Sequence, residues 1–273
     1  MPPRPAPAGS RTFRDALDRR IGLLRSFLVY RAIPWRGAQL RRFYSRFVPP
    51  GGLAFDVGAH AGNRVAAFRR LGARVVALEP QPDFVRLLER RFGSDGQVTV
   101  LPVALGRAPG EAQLMASART PTVSTLSTDF VERAGQAPSF RGVRWSPGPV
   151  VRVQTLDALI AEHGRPDFVK IDVEGFELDV LLGLNQPLPA LSFEFLPAVR
   201  DVALACIDRV ESLAAPEALR YCYAVSLGER QRLLQPQGMS ADAMRAWLRG
   251  LPPDAPSGDV HAWQADPSSE SGR

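Results

Sequence analysis

Apolar runs of strand length alternate with stretches of helical spacing along most of this chain. The runs fall at 53–57, 74–78, 98–103, 167–172 and 190–195, rich in Val, Leu, Ala and Phe and bounded by Gly, Pro or charged residues. Helical spacing covers 62–71, 82–92, 155–162 and 176–183. Such alternation predicts a mostly parallel sheet with helices on both faces. A helix at about 199–214, a strand at 219–226, a helix at 240–249 and a strand at about 258–264 complete the pattern of an α/β domain. Residues 110–117 read as an inserted edge strand. The stretch 118–149, with Pro121, Pro138, Pro147 and Pro149, reads as a long loop-rich connection, of the kind expected to be mobile or to cover a site.

Ahead of the first strand, 13–33 places Leu17, Ile21, Leu24, Phe27 and Leu28 on one broad helical face, and Pro34 is expected to end that helix. A shorter helix at about 37–47 precedes Pro49-Pro50-Gly51-Gly52, a boundary signal. The expected division is an N-terminal helical extension at 1–50, with a disordered Pro- and Ala-rich start, the α/β domain at 51–265 and a disordered tail at 266–273.

The junction of the first two strands carries the chemistry. Asp56-Val57-Gly58-Ala59-His60-Ala61-Gly62-Asn63 leaves the first strand and enters a helix, and Gly58 and Gly62 permit a tight turn with close ligand approach. The second strand stops at Glu79-Pro80. An acid there faces ribose hydroxyls in a nucleotide-binding βαβ unit. The pair predicts an adenosine-containing ligand held by Asp56, Gly58, Ala59, His60, Gly62, Asn63, Glu79 and Pro80, with Ala104 at the end of the next strand. A dinucleotide loop carries three glycines around a pyrophosphate. Here two remain, and Asp56 would repel that anion. The ammonium and ribose of S-adenosylmethionine suit the loop better, which makes it the expected cofactor and NAD the alternative.

With these segments in view, the chain resembles the FkbM family of S-adenosylmethionine-dependent methyltransferases. FDVGAHAG (55–62), VVALEPQPDFVRLLERRF (75–92), VQTLDALI (153–160) and VKIDVEGFELDVLLG (169–183) stand in the family's order, and the resemblance runs from about Pro49 to about Trp263. The last segment is the most specific, since the family is known for K-I-D-x-E-G-x-E after its fourth strand. Family members usually carry Asn where this chain has His60. The resemblance implies a Rossmann-like class I methyltransferase fold with a seven-stranded, mostly parallel sheet, and methyl transfer, mostly to hydroxyl oxygens of a small-molecule or glycan acceptor.

Ligands of open α/β sheets bind beyond the carboxyl ends of the strands, which gathers Asp56–Gly62, Glu79, Ala104, Asp172–Gly175 and Glu194 along one edge. Period-two alternation puts Lys170 and Asp172 on one face of their strand. Lys170, the chain's single lysine, is expected to be partly buried and to need a carboxylate, Asp172 or Glu194. Asp172 is expected beside the methyl donor, and Glu174 or Glu194 is expected to orient or deprotonate an acceptor hydroxyl. Lys170 could do so only with a depressed pKa. These four are the candidate catalytic residues. The three acids could also present oxygen ligands to Mg²⁺. Methyl transfer is an in-line displacement in which positioning dominates, so no metal is assigned. His60 is expected to bond locally, His163 to sit at a helix end and His261 to be structural.

Charge adds one regional feature. Residues 1–46 hold eleven arginines against Asp15 and Asp18, a net +9, which leaves the rest of the chain at −3. The extension could contact an anionic membrane surface, or simply cover the core. This basic segment keeps nucleic-acid methylation open, although no base-methylation or aromatic–basic stacking motif is present. A cofactor-binding scaffold without activity is the remaining alternative. Cys206 and Cys222 have no metal-site spacing and read as small core residues. No apolar stretch approaches the ~20 residues of a membrane span, and a cytoplasmic protein with optional membrane contact is expected.

Overall fold

The computed structural model describes residues 34–117, 120–135, 140–228 and 230–265. The expected helix at 13–33, the Pro-rich start and the tail at 266–273 lie outside them. Helix α1 (Pro34–Tyr44) precedes β1 (Leu53–Val57), α2 (Asn63–Arg70), β2 (Arg74–Leu78), α3 (Pro82–Phe92) and β3 (Val98–Leu101). An inserted region holds β4 (Ala104–Leu105), β5 (Gly110–Ala116), α4 (Thr128–Ala134) and β6 (Ser146–Gln154). Then come α5 (Leu156–His163), β7 (Phe168–Ile171), α6 (Glu177–Leu182), β8 (Ala190–Phe195), α7 (Arg200–Ala214), β9 (Tyr221–Leu227), α8 (Ala241–Gly250) and β10 (Gly258–Gln264).

The main sheet has seven strands in the order β3-β2-β1-β7-β8-β10-β9. Strands β1, β2, β3, β7 and β8 pair in parallel, and β10 is antiparallel to both its neighbours. This is the expected Rossmann-like, mostly parallel seven-stranded sheet. Among the described residues no helix is long and apolar enough to cross a membrane.

Alternation along the strands sorts the core into two layers. Leu53, Phe55, Val57, Val169, Ile171, Leu191, Phe193, Val225 and Val260 pack on one face with α5, α6, α7 and α8. The other face presents small residues, Ala54, Ala77, Ala190 and Ala224, which are filled from outside by Phe43, Tyr44 and Phe47 of α1 and the turn after it. Tyr44 meets Phe68 of α2 edge-on at 4.9 Å, and Phe47 stacks on Phe168 at 5.3 Å. The described part of the N-terminal extension is therefore core, with Arg41, Arg42 and Arg46 on its exposed side.

The insertion departs from expectation. Strand β5 belongs to a separate three-stranded sheet, β4-β6-β5. The stretch 118–149, expected to be loop-rich, contains a 3-10 turn (Pro121–Val123), α4 and the start of β6. Pro147 and Pro149 hide that strand in the sequence. They are tolerated because β4 pairs only with Val153 and Gln154, so the proline end of β6 has a single neighbour. Likewise β3 stops before Pro102, and Ala104 leaves the main sheet to pair with Val153.

Candidate functional site

The same alternation places a row of polar residues on the α1–α2 face. Register sets Asp56 beside Lys170, Lys170 beside Ser192, and Ser192 beside His261, with Asp259 between Glu194 and Ser226. Asp56 is fully buried, and Arg64, from the first turn of α2, reaches back to it. Its Nε donates to Asp56 Oδ1 at 2.7 Å, Nη1 to Asp172 Oδ2 at 2.7 Å and Nη2 to the Gly58 carbonyl at 2.5 Å. Lys170 Nζ donates to Asp259 Oδ1 at 2.8 Å and to the Ile171 carbonyl at 3.0 Å, with Asp172 Oδ2 3.9 Å away. Asp56, Arg64, Asp172, Lys170 and Asp259 thus form one alternating chain of charge across β1, α2, β7 and β10. Lys170 does require a carboxylate, but its closest is Asp259, and Asp172 is second. The expected alternative, Glu194, is not one of its ion-pair partners.

The loop after β1 is set by its backbone. Gly58 has φ +81°, and a β-carbon there would collide with the Asp172 carbonyl, so only glycine lets the two strand ends meet. His60 has φ +45°, a region that Asn and His enter more readily than most residues, which fits its replacement of the family's Asn. Glu79 is buried at the end of β2. Its Oε2 accepts the His60 N–H at 2.9 Å and its Oε1 the Gln81 N–H at 2.8 Å. Burial nonetheless pushes this carboxyl up to about 7. His60 packs near Phe84, and burial pushes its imidazole down to about 4.

A cavity of about 630 Å³ opens at the carboxyl ends of these strands. Ala59, His60, Asn63 and Arg64 line it from the loop and α2, and Lys170, Asp172, Glu174 and Glu194 from β7, β8 and the turn after β7. Leu40 and Tyr44 of α1 form another wall, and Ser226, Ser257 and Asp259 the side facing β9 and β10. Asp56, Gly58, Gly62, Glu79 and Pro80 are not among the residues that line it, and Ala104 is buried in the small sheet. His163 ends α5, and His261 stacks on Phe47 and meets Phe43 edge-on, with Nε2 2.9 Å from Ser226 Oγ. Burial pushes His261 down to about 3, so it is neutral at physiological pH.

The four candidate catalytic residues come together, and their surroundings separate them. Burial alone would raise the Asp172 carboxyl, but Lys170 and Arg64 hold it well below the usual carboxylate range. Burial would lower Lys170, yet Asp172 and Asp259 outweigh it, so the ammonium is held above its ordinary value and is no general base. Glu174 and Glu194 are in neither ion pair. Burial and the neighbouring acids push both well above the ordinary range. One oxygen from each of Asp172, Glu174 and Glu194 lies within 4.8 Å of the other two. That oxygen set would also suit a hard divalent ion such as Mg²⁺. Among the described residues, Asp56 Oδ2 and Glu194 Oε2 are buried without a hydrogen-bond partner, and of these two residues Glu194 lines the cavity.

Residues 56–250 match the methyltransferase FkbM domain. The chain belongs to this family. AMB antimetabolite synthetase AmbE of Pseudomonas aeruginosa is 30% identical over 209 residues, 64% of this chain and 9% of that protein. Hexuronic acid methyltransferase AglP of Haloferax volcanii is 27% identical over 152 residues, 51% of this chain and 52% of that protein. The chain thus spans about half of one curated relative and a small part of the other. Among solved structures, a precorrin-6y C5,15-methyltransferase from Geobacter metallireducens GS-15 aligns over 84% of this chain and 87% of its own, with 10% identity and a TM-score of 0.39. At that score the assignment rests on the domain match.

Residue-level reading missed Arg64, Asp259 and the α1 wall. A lone buried lysine signalled that an acid must face it, but the acid lies 89 positions away on the last strand. Arg64 gives no local signal, because an arginine in a helix is ordinarily solvated.

Proposed function

We propose that this protein is an S-adenosylmethionine-dependent O-methyltransferase whose acceptor is a hydroxyl of a sugar, glycan or small metabolite. The observation that carries the reading is the division of the acids: Asp172 is fixed between two cations, while Glu174 and Glu194 face the cavity outside those pairs. The cofactor, when bound, supplies a methyl group already activated on a sulfonium. The loop from Gly58 to Asn63 would hold its methionine part, and Glu79 the ribose. Each Glu79 oxygen accepts one backbone N–H and keeps further acceptor capacity for a hydroxyl. Asp172 stays ionised and favours positive charge in the cavity. Glu174 or Glu194 accepts the acceptor's proton on a carboxylate oxygen, since a carboxyl raised above its ordinary value is the stronger base. Ser226, Ser257 and Asp259 offer the polar contacts a polyol needs. A relative named for methylating a hexuronic acid supports a sugar acceptor.

Calorimetry with S-adenosylmethionine and with NAD tests the cofactor. Transfer of labelled methyl to uronic acid glycosides, neutral sugars, lipid and RNA fractions tests the acceptor. Binding of NAD alone, or label in RNA alone, would overturn the proposal.

A further inference from the structure

The turn after β7 is the strained part of the site. Glu174 has φ +53° and Gly175 +84°, so a glutamate occupies a left-handed conformation that side chains rarely adopt. Something must hold it there. From one side Glu177, itself buried, accepts the Val173 N–H at 3.3 Å and the Gly175 N–H at 3.2 Å on a single oxygen, Oε1. From the other side Phe130 of α4 lies so close that a β-carbon on Gly175 would run into its ring. Phe130 is buried in a small cluster with Phe140, Trp145 and Val199, separate from the two main core layers. The inserted region therefore touches the acid turn directly.

We infer that Phe130 and Glu177 are positioning residues that clamp the turn Val173-Glu174-Gly175 and aim the Glu174 carboxylate at Glu194 and Asp172. This rests on the proposed cofactor only for its functional consequence, since the clamp itself is a property of the backbone. The groups facing Glu174 are Asp172, Glu177 and Glu194, with Lys170 as the cation acting on it. If the clamp aims Glu174 into the cavity, Glu174 contributes to preference for the cationic S-adenosylmethionine over neutral S-adenosylhomocysteine. Releasing the clamp should remove the same contribution that deleting the charge removes.

The test uses the full chain and two readouts. Hydrogen exchange reports the Val173 and Gly175 amides. Calorimetry reports the affinity ratio of S-adenosylmethionine to S-adenosylhomocysteine in wild type, Phe130→Ala, Glu174→Gln and the double variant. Phe130→Leu, which keeps an apolar cover, guards against loss of the α4 cluster. Expected are Gly175 exchange faster by about tenfold in Phe130→Ala and less in Phe130→Leu. Glu177→Ala should behave like Phe130→Ala, while Glu177→Gln keeps an acceptor oxygen and stays near wild type. The affinity ratio should fall by about two- to tenfold in either single variant and no further in the double, as coupled neighbours require. Unchanged Gly175 exchange in Phe130→Ala, or effects on the ratio that multiply in the double variant, would overturn the inference. Failure of wild type to bind either cofactor would instead refute the proposed function, and exchange at Gly175 would still decide whether the clamp exists.

Discussion

Replacing Arg64 by Met removes three hydrogen bonds and leaves Asp56 fully buried with no cation paired to it. The cost has a ceiling, because a buried carboxylate can escape by taking a proton. From an unfolded value of 3.8, holding Asp56 neutral at pH 7 costs at most about 4 kcal/mol, at about 1.36 kcal/mol per pH unit. At pH 5 the same ceiling is about 1.6 kcal/mol. Burial already raises this carboxyl with Arg64 present, so wild type bears part of that cost. A loss of about 2–4 kcal/mol at pH 7, shrinking by at least half at pH 5, is therefore expected, in line with breaking a buried pair. Asp172 suffers less because Lys170 remains. Urea unfolding of wild type, Arg64→Met and Arg64→Met/Asp56→Asn at both pH values measures this. The double variant should be more stable than Arg64→Met at pH 7. A loss that does not change between pH 5 and 7 would refute the reasoning and assign the effect to packing.

Three further outcomes follow from the same geometry. Glu79→Ala frees the His60 and Gln81 amides and should weaken S-adenosylmethionine binding by about ten- to hundredfold, read by calorimetry in a folded variant; unchanged affinity would remove Glu79 from the site. Burial, with Asp172 beside it, raises Glu177 to about 7. A raised carboxyl stabilises the fold fully below its unfolded value near 4.5 and loses that contribution as pH rises through about 7, so Glu177→Gln should fall by about 2–3 kcal/mol less than wild type between pH 5 and 8 in urea titrations. A chain starting at Pro34 should fold and bind cofactor, whereas one starting at Gly51 should aggregate, because Phe43, Tyr44, Phe47 and Val48 leave the core; gel filtration and calorimetry decide between them.

Local pattern made the sheet legible. Strands at 53–57, 74–78 and 190–195 and the helix at 82–92 coincide with what apolar runs and helical spacing indicate, because each is a contiguous buried segment with its own punctuation. Strand β6 was not legible, since two prolines mask it and a one-sided pairing makes them harmless. The acids at the strand ends were legible from one topological rule. Their roles were not, because roles depend on cross-strand register. Nothing near Asp172 in the chain announces Arg64, and nothing near Lys170 announces Asp259. The spacing of K-I-D-x-E-G-x-E marks Glu177 as part of a motif, yet only the backbone of the turn shows that it accepts amides from beneath it.

The placement of charge explains why one site contains both a rigid and a strained part. Three aspartates and two cations form the chain Asp56–Arg64–Asp172–Lys170–Asp259, which is fixed by ion pairs linking three strands and a helix. That chain carries one net negative charge, so it favours a cation in the cavity without itself needing to change protonation. Glu174 and Glu194 are left outside it, and burial together with the nearby acids raises both carboxyls. In the proposed reaction the positive charge brought by the donor is lost when the methyl leaves, and a proton released by the acceptor hydroxyl must be taken up. A proton on the Glu174–Glu194 pair replaces the lost charge in the same place, so the cavity ends the reaction with the same balance it had at the start. Such a pair must be able to gain and lose a proton, which excludes it from the ion-pair chain. It must also be held in a geometry that two like charges oppose, which is what the left-handed turn, braced by Glu177 and Phe130, provides.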